Sequence, residues 1–407
     1  MTPAMNPDVR VDRQLVTGIG RFQKPTLITG IAFALISLIG LLFDAPSFYR
    51  SWLPSWLFWL QINAGCLAIL FLQYISGGQW GIVIRRPLGA AARSMPVLAL
   101  LFIPLLASVW LRSGAVYPWA DPAVAGADAV MIQKARYLNP TFWTLRALFF
   151  FLCWIVWAWR VKAVSRAFEA SKDPYLELSR RKWSSTGLLM IVMTLTFCSV
   201  DWLMSVEPKW FSTMFGISFT IGCGLSALAF VTLIMARLST TKAVADVVKP
   251  SHLRDLGNLM LAFTMLWAYT AFSEFLLVWY ANIKEEIPYF IKREHGGWGV
   301  IAASLVLFHF FLPFFMLLMR SIKDRPRTIA IVSAIVLVMR YVNLYWLAAP
   351  AFHPEFHYSW MSLTSLIGIG GLWLWFFIGQ LKGQTIIPIY ETWVEEALRE
   401  GAVKTHA

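Results

Sequence analysis

The chain has 407 residues, of which 58% are apolar and only 14% are charged, with 21 Trp among them. That composition excludes a large soluble domain and fits a polytopic membrane protein. The formal net charge is +13, but its distribution, set out below, argues against nucleic acid as a partner and for a membrane surface.

Residues 1–26 are polar and carry Arg10, Arg13, Arg21 and Lys24. They lack the apolar core of a signal peptide, so this segment is expected to be retained on the cytoplasmic side. Ten runs then approach the length of about 20 apolar residues that a bilayer-spanning helix needs. They are 27–43, 52–74, 95–111, 142–159, 184–205, 211–236, 257–281, 297–319, 328–350 and 359–381. The expected fold is all-α, with a ten-helix transmembrane domain over 27–381. A polar cytoplasmic tail, 382–407, follows, with a short surface helix at Glu391–Glu400.

An even number of spans places both termini on one side. The loops on that side hold 25 Lys and Arg and the opposite loops hold 8, with Arg146 and Arg340 inside spans. This asymmetry predicts cytoplasmic termini, since positive loops stay inside and meet anionic lipid. A faint internal repeat also runs along the chain. Gly65-Cys66 of span two matches Gly222-Cys223 of span six, and 148–151 of span four match 307–310 of span eight. Val200-Asp201 and Pro208 of span five match Val342-Asn343 and Pro350 of span nine. The pattern predicts two related four-helix bundles, spans two to five and six to nine, with spans one and ten added.

The stretch TLTFCSVDWLMSVEPKWFSTMFG, 194–216, reads as a helical hairpin. Glu207, Pro208 and Lys209 make its tip, and Trp202 and Trp210 are expected to mark the membrane–water boundary. Asp201 lies inside the apolar run. A charge there costs roughly 3 kcal/mol on insertion scales and points to function and to a partner. The other ionisable residues within spans are Arg146, Glu274, His309 and Arg340. Buried charges need partners, so one pair per bundle is expected: Arg146 with Asp201, and Arg340 with Glu274. These groups either lock helix packing or carry protons and line a ligand cavity. Gln61, Asn63, Gln73, Thr264, Tyr269, Thr270 and Ser273 extend the polar network or bond between helices.

Cys66, Cys153, Cys198 and Cys223 all lie in apolar runs without a CxxC, so they read as packing thiols and not as ligands of zinc or an iron–sulfur cluster. His309 is the sole histidine deep in a span, and one histidine cannot supply both axial ligands of a haem. No haem, cluster or other metal is expected on this chain. The loop 282–296, NIKEEIPYFIKREHG, is expected to lie at the outer interface. The long loop 112–141 is a second docking candidate.

The hairpin DWLMSVEPKWFSTMFG resembles the corresponding segment of the ActF-type membrane subunits of alternative complex III. So do GGQWGIVIRRPLGAAARSMPVLALLFIPLL (77–106), LMLAFTMLWAYTAFSEFLLVWYANIKEEIPYFIKREHGGWG (259–299) and LFHFFLPFFMLLMRSIK (307–323). The resemblance implies the NrfD/PsrC-like fold of paired four-helix bundles in a bacterial inner membrane. It implies a subunit of a quinol:cytochrome c, or high-potential acceptor, oxidoreductase that supports proton translocation and assembly without being catalytic alone. Implied partners are a sister ActC-type subunit usually assigned the quinol site, an iron–sulfur subunit, c-type cytochrome subunits and a terminal oxidase. Haem c and iron–sulfur clusters would lie in those partners; quinol or quinone is the ligand class the resemblance leaves open for this chain. The positions carried over are Asp201 and Glu207 of the hairpin, Glu274 of span seven, and Glu285 and Glu286 as an outer-face exit. A secondary transporter and a purely structural scaffold are the competing expectations.

Overall fold

The computed structural model describes residues 18–241 and 248–382. Arg10 and Arg13 of the N-terminal segment, and the helix expected at Glu391–Glu400, lie outside the described residues. Among the described residues, ten helices are long and apolar enough to cross a membrane. They are Gly18–Phe43, Ala45–Ser76, Arg85–Trp110, Pro140–Ser171, Pro174–Val206, Met214–Leu238, Pro250–Ala281, Trp298–Leu318, Pro326–Ala351 and Trp360–Lys382, spans one to ten. The chain is an all-helical, multi-pass membrane protein, in which helices satisfy their backbone groups internally where lipid offers no hydrogen bonds.

Several helices run past their expected ends on the face where span one begins and span ten ends. Span four continues to Ser171 and span five begins at Pro174. The expected limits stopped where Arg and Lys begin. Long cationic side chains keep their heads in water while the backbone stays helical, so the helices end where capping ends them. Asp173 caps span five through Tyr175 N at 2.9 Å, and Asn139 caps span four through Phe142 N at 2.8 Å. Both are followed by a proline, whose missing N–H costs nothing at a helix start. Within spans, proline has the opposite effect. Span three bends before Pro96 and Pro104, forming helices Arg85–Ala92, Met95–Leu100 and Ile103–Trp110. Span eight widens into a π-helical turn over Leu305–Phe311, just before Pro313. Pro313 cannot donate to the carbonyl of His309, and the wider turn accommodates the gap.

Spans two to five pack on one another as one bundle and spans six to nine as a second. Spans two and six join them. Gly65 permits this contact, because a Cβ there would lie 1.9 Å from the Cys223 carbonyl oxygen. The two glycine–cysteine positions matched in the repeat therefore meet at the seam. Spans one and ten pair with each other, with Ser37 bonding Thr364 at 2.7 Å and Ser365 at 2.9 Å.

The first bundle is filled by rings. Trp56 lies 5.0 Å from Phe102, Phe102 stacks on Trp143 at 5.3 Å, and Phe151 stacks on Trp202 at 5.6 Å. This corrects one expectation: Trp202 and Trp210 are buried rather than set at a lipid boundary. Tyr117 of the 112–141 loop donates to the Trp202 carbonyl and Tyr289 of the 282–296 loop stacks on Trp210, so both rings serve packing. All four cysteines are free thiols; three are buried and Cys153 is partly so.

Candidate functional site

The hairpin tip is held from two sides. From the 112–141 loop, Lys134 Nζ donates to the Pro208 carbonyl at 2.6 Å, and Asp128 pairs with Lys209 at 2.6 Å. That lysine holds the partly buried Asp128 carboxyl below its usual range. From the other side comes a short helix, Ile287–Glu294, within the 282–296 loop. Its Lys292 and Arg293 bond the two Glu207 oxygens at 3.0 and 2.8 Å. Its Tyr289 stacks on Trp210 with ring centres 3.7 Å apart, and burial pushes the phenol well above its ordinary pKa. Glu207 therefore clasps the hairpin to a surface helix, at the edge of the charged network rather than within the spans.

Below the tip, Asp201 is fully buried and the expected pair with Arg146 is formed. Arg146 donates through Nε to Oδ2 at 2.7 Å and through Nη2 to Oδ1 at 2.9 Å. Its Nη1 donates to the Tyr137 carbonyl at 3.0 Å, and its guanidinium lies 3.8 Å from the Tyr137 ring centre. Two-pronged binding plus ring stacking is the strongest geometry available to arginine. The Asp201 carboxylate is thereby immobilised.

The second expected pair is not formed. Arg340 donates through Nη1 to Asn343 Oδ1 at 3.0 Å and through Nη2 to Gln61 Oε1 at 2.8 Å. Asn343 sits one turn along the same helix, and Gln61 reaches across from span two, so neutral amide oxygens meet the cation before any carboxylate does. Gly222 makes room, since a Cβ there would lie 2.1 Å from Arg340 Nη2. Asn343 is also the repeat counterpart of Asp201, so the second bundle has an amide where the first has an acid.

Glu274 is buried, and its Oε1 has no hydrogen-bond partner. The Ser212 side chain and the Arg293 guanidinium are the polar groups beside it. Glu274 forms part of the wall of a cavity of about 840 Å³ in the second bundle. The cavity extends from Tyr289, Arg293 and Glu294 at the surface helix to Gln61, Arg340 and Asn343 at mid-depth. Phe215, Phe219, Phe272, Phe275 and Phe310 supply much of the remaining wall. His309 is fully buried with both ring nitrogens unpartnered, 3.9 Å from the Trp267 ring centre, and lies behind the wall rather than in it. Glu285 is exposed and Glu286 half-buried, and neither reaches the cavity.

Of the residues singled out in the sequence, the structure brings Glu274 and Arg340 to one cavity and Arg146 and Asp201 to a separate lock. Of the other polar residues named, Asn63 accepts from Trp373 Nε1 at 2.9 Å, Gln73 accepts from Arg85 Nε at 3.1 Å, and Thr264 bonds its own helix. Sequence reasoning placed the loop that carries Tyr289 and Arg293 at the membrane interface but gave neither residue a part in the site. Their i, i+4 spacing in IPYFIKRE places both on one helical face, and that was the available signal.

The fold and site define a multi-pass helical membrane protein with one charge-locked bundle and one bundle whose helices wall a large, partly open cavity. No known family model matches the chain, and no curated protein matches it.

Proposed function

We propose that this chain is a haem-free membrane subunit of a quinol:cytochrome c, or high-potential acceptor, oxidoreductase of a bacterial inner membrane, with cytoplasmic termini. In this reading it moves protons in support of quinol oxidation by its partners. These are a sister ActC-type subunit, an iron–sulfur subunit and c-type cytochromes, with a terminal oxidase as a further member.

One observation carries the proton-moving role: Glu274 is a buried carboxyl with an unpartnered oxygen in the wall of a large cavity. An intramembrane carboxyl held this way is free to exchange a proton, whereas one gripped by arginine is not. Asp201 is of the second kind and is assigned a structural role. Arg340, which binds amides, adds positive potential next to the cavity without quenching Glu274.

A broken span beside a mid-membrane cavity also occurs in secondary transporters, and the π-helical turn in span eight favours that as the second reading. The test is to purify the chain from its native membrane in mild detergent and identify what accompanies it. The proposal expects an iron–sulfur protein and c-type cytochromes. A chain that purifies alone and drives substrate-dependent flux in liposomes would replace it with the transporter reading.

A further inference from the structure

We propose that a cleft between spans two, three and four holds the phosphodiester headgroup of an anionic phospholipid, whose acyl chains lie along span four. The cleft is on the face where span one begins and span ten ends. It is separate from the cavity of the second bundle, and the site stands whether or not the chain belongs to a redox complex.

The first observation is charge. Arg85, Arg86 and Arg93 of span three and Lys162, Arg166 and Glu169 of span four line the cleft. Glu169 is the only acid in that lining, and Arg86 already holds it at 2.9 Å. Arg93 is buried and donates to the side-chain and backbone oxygens of Gln380 at 3.0 and 3.4 Å, both of them neutral. Lys162 and Arg166 have neither an ion pair nor a hydrogen bond among the described residues. Arg93, Lys162 and Arg166 thus gather without a carboxylate of their own, and each repels the other two. Like charges held together and partly out of water are costly, and an anion among them removes the cost.

The second observation is shape, and it selects the anion. The cleft encloses only about 30 Å³, close to the volume of one water molecule in the liquid. Phosphate oxygens can enter, but the rest of the ligand must lie outside, and what lies outside is the lipid-facing side of span four. Leu145, Leu148, Leu152, Val156 and Trp159 recur there at steps of three and four residues and are 46–61% exposed. The same stripe continues through Ala163 to Arg166, which is also exposed. From Val156 to Arg166 is about 15 Å at 1.5 Å per residue, the reach of one leaflet of a hydrocarbon core about 30 Å thick. Trp159 lies between them, at the level where an interfacial ring sits. An acyl chain on this stripe therefore brings its headgroup to Lys162 and Arg166. A soluble phosphate matches the charge but uses none of the stripe. A zwitterionic lipid would bring an ammonium group to a cleft whose one acid is taken, so an anionic headgroup is favoured.

The test is photolabelling of the full chain in phosphatidylcholine nanodiscs that contain a minor fraction of phosphatidylglycerol with a diazirine on its acyl chain. Label is expected on span four between Leu148 and Trp159, in excess over the label left by phosphatidylcholine carrying the same diazirine. A cation near the membrane surface is worth about fivefold in binding an anionic lipid. Lys162→Gln combined with Arg166→Gln should therefore lower the excess about tenfold or more, and Lys162→Arg should retain it. Arg166→Gln alone, at an exposed position, decides the matter if the double variant does not fold. Label near Arg325 and Arg327, exposed at the start of span nine on the same face, reports general attraction to the surface and should not change. Unlabelled phosphatidylglycerol should compete, and inorganic phosphate should not.

Equal labelling of span four by the two lipids, an excess unchanged in a folded variant, or an equal loss of label near Arg325 and Arg327 would overturn the proposal. Competition by inorganic phosphate as effective as that by phosphatidylglycerol would give the cleft to a soluble anion and overturn the lipid assignment.

Discussion

Replacing Asp201 should cost far more stability than replacing Glu274, although both are intramembrane acids. Asp201→Leu removes the acceptor of two charge-assisted bonds, at 2.7 and 2.9 Å, and leaves Arg146 at 11% side-chain exposure. Removing one member of a buried pair costs roughly 3–5 kcal/mol, because the other charge stays behind unpaired. Arg146 keeps the Tyr137 carbonyl and the Tyr137 and Phe142 rings, so we expect the lower end, about 3 kcal/mol. Adding Arg146→Leu should recover most of that loss, since two apolar residues in place of a pair are often close to neutral. Glu274→Gln breaks no ion pair, and the affected oxygen already lacks a partner, so we expect a change below about 1 kcal/mol. The assay is unfolding of the purified chain in mixed micelles by increasing SDS, followed by helical circular dichroism. The reasoning fails if Asp201→Leu stays within about 1 kcal/mol of the parent, or if Glu274→Gln loses as much as Asp201→Leu.

Other consequences follow from particular contacts. Gly65→Leu must drive the Cys223 backbone away from span two, so the two bundles should fail to dock, read as loss of the monodisperse peak in size-exclusion chromatography; a well-folded variant would contradict the seam. Tyr289→Ala removes the stack on Trp210, worth about 1 kcal/mol beyond its buried area, and should raise hydrogen exchange in Ile287–Glu294 while leaving the Asp201 region protected. In the 351–358 loop, burial first and then the nearby His357 and Arg50 hold His353 below its ordinary value, against a smaller opposing pull from Asp44. The unfolded chain takes up a proton near pH ~6.5 that the folded loop resists. Stability conferred by neutral His353 is therefore present above that pH and falls as pH drops through it toward the folded value. His353→Phe should flatten the pH dependence of unfolding between neutral and mildly acidic pH, and an unchanged slope would contradict the assignment.

The ten spans, the paired bundles and the hairpin were legible because lipid enforces apolar length and because charged loops interrupt it. The Arg146–Asp201 pair was legible because a buried acid and a buried base near the same membrane face have few other partners. The same logic misplaced Arg340. Charge counting weighs ions and overlooks amides, and Gln61 lies 279 positions away along the chain. The cavity was not legible, since a void depends on how side chains from four spans and a surface helix pack against one another, which no single stretch of sequence records. The role of Arg293 was hidden because a cation in a polar loop reads as solvated until the helix is seen to turn it inward onto Glu207 and the Leu347 carbonyl, at 2.8 and 2.7 Å.

The most direct test of the proposed function is proton release by the proposed complex in sealed vesicles, with electron transfer from quinol to acceptor recorded in the same sample. Glu274→Gln should lower the number of protons moved per electron while electron transfer continues. Under the same conditions, a folded Asp201→Asn variant should keep the parent ratio. An unchanged ratio in Glu274→Gln, or a loss confined to Asp201→Asn, would contradict the assignment of proton movement to the second bundle.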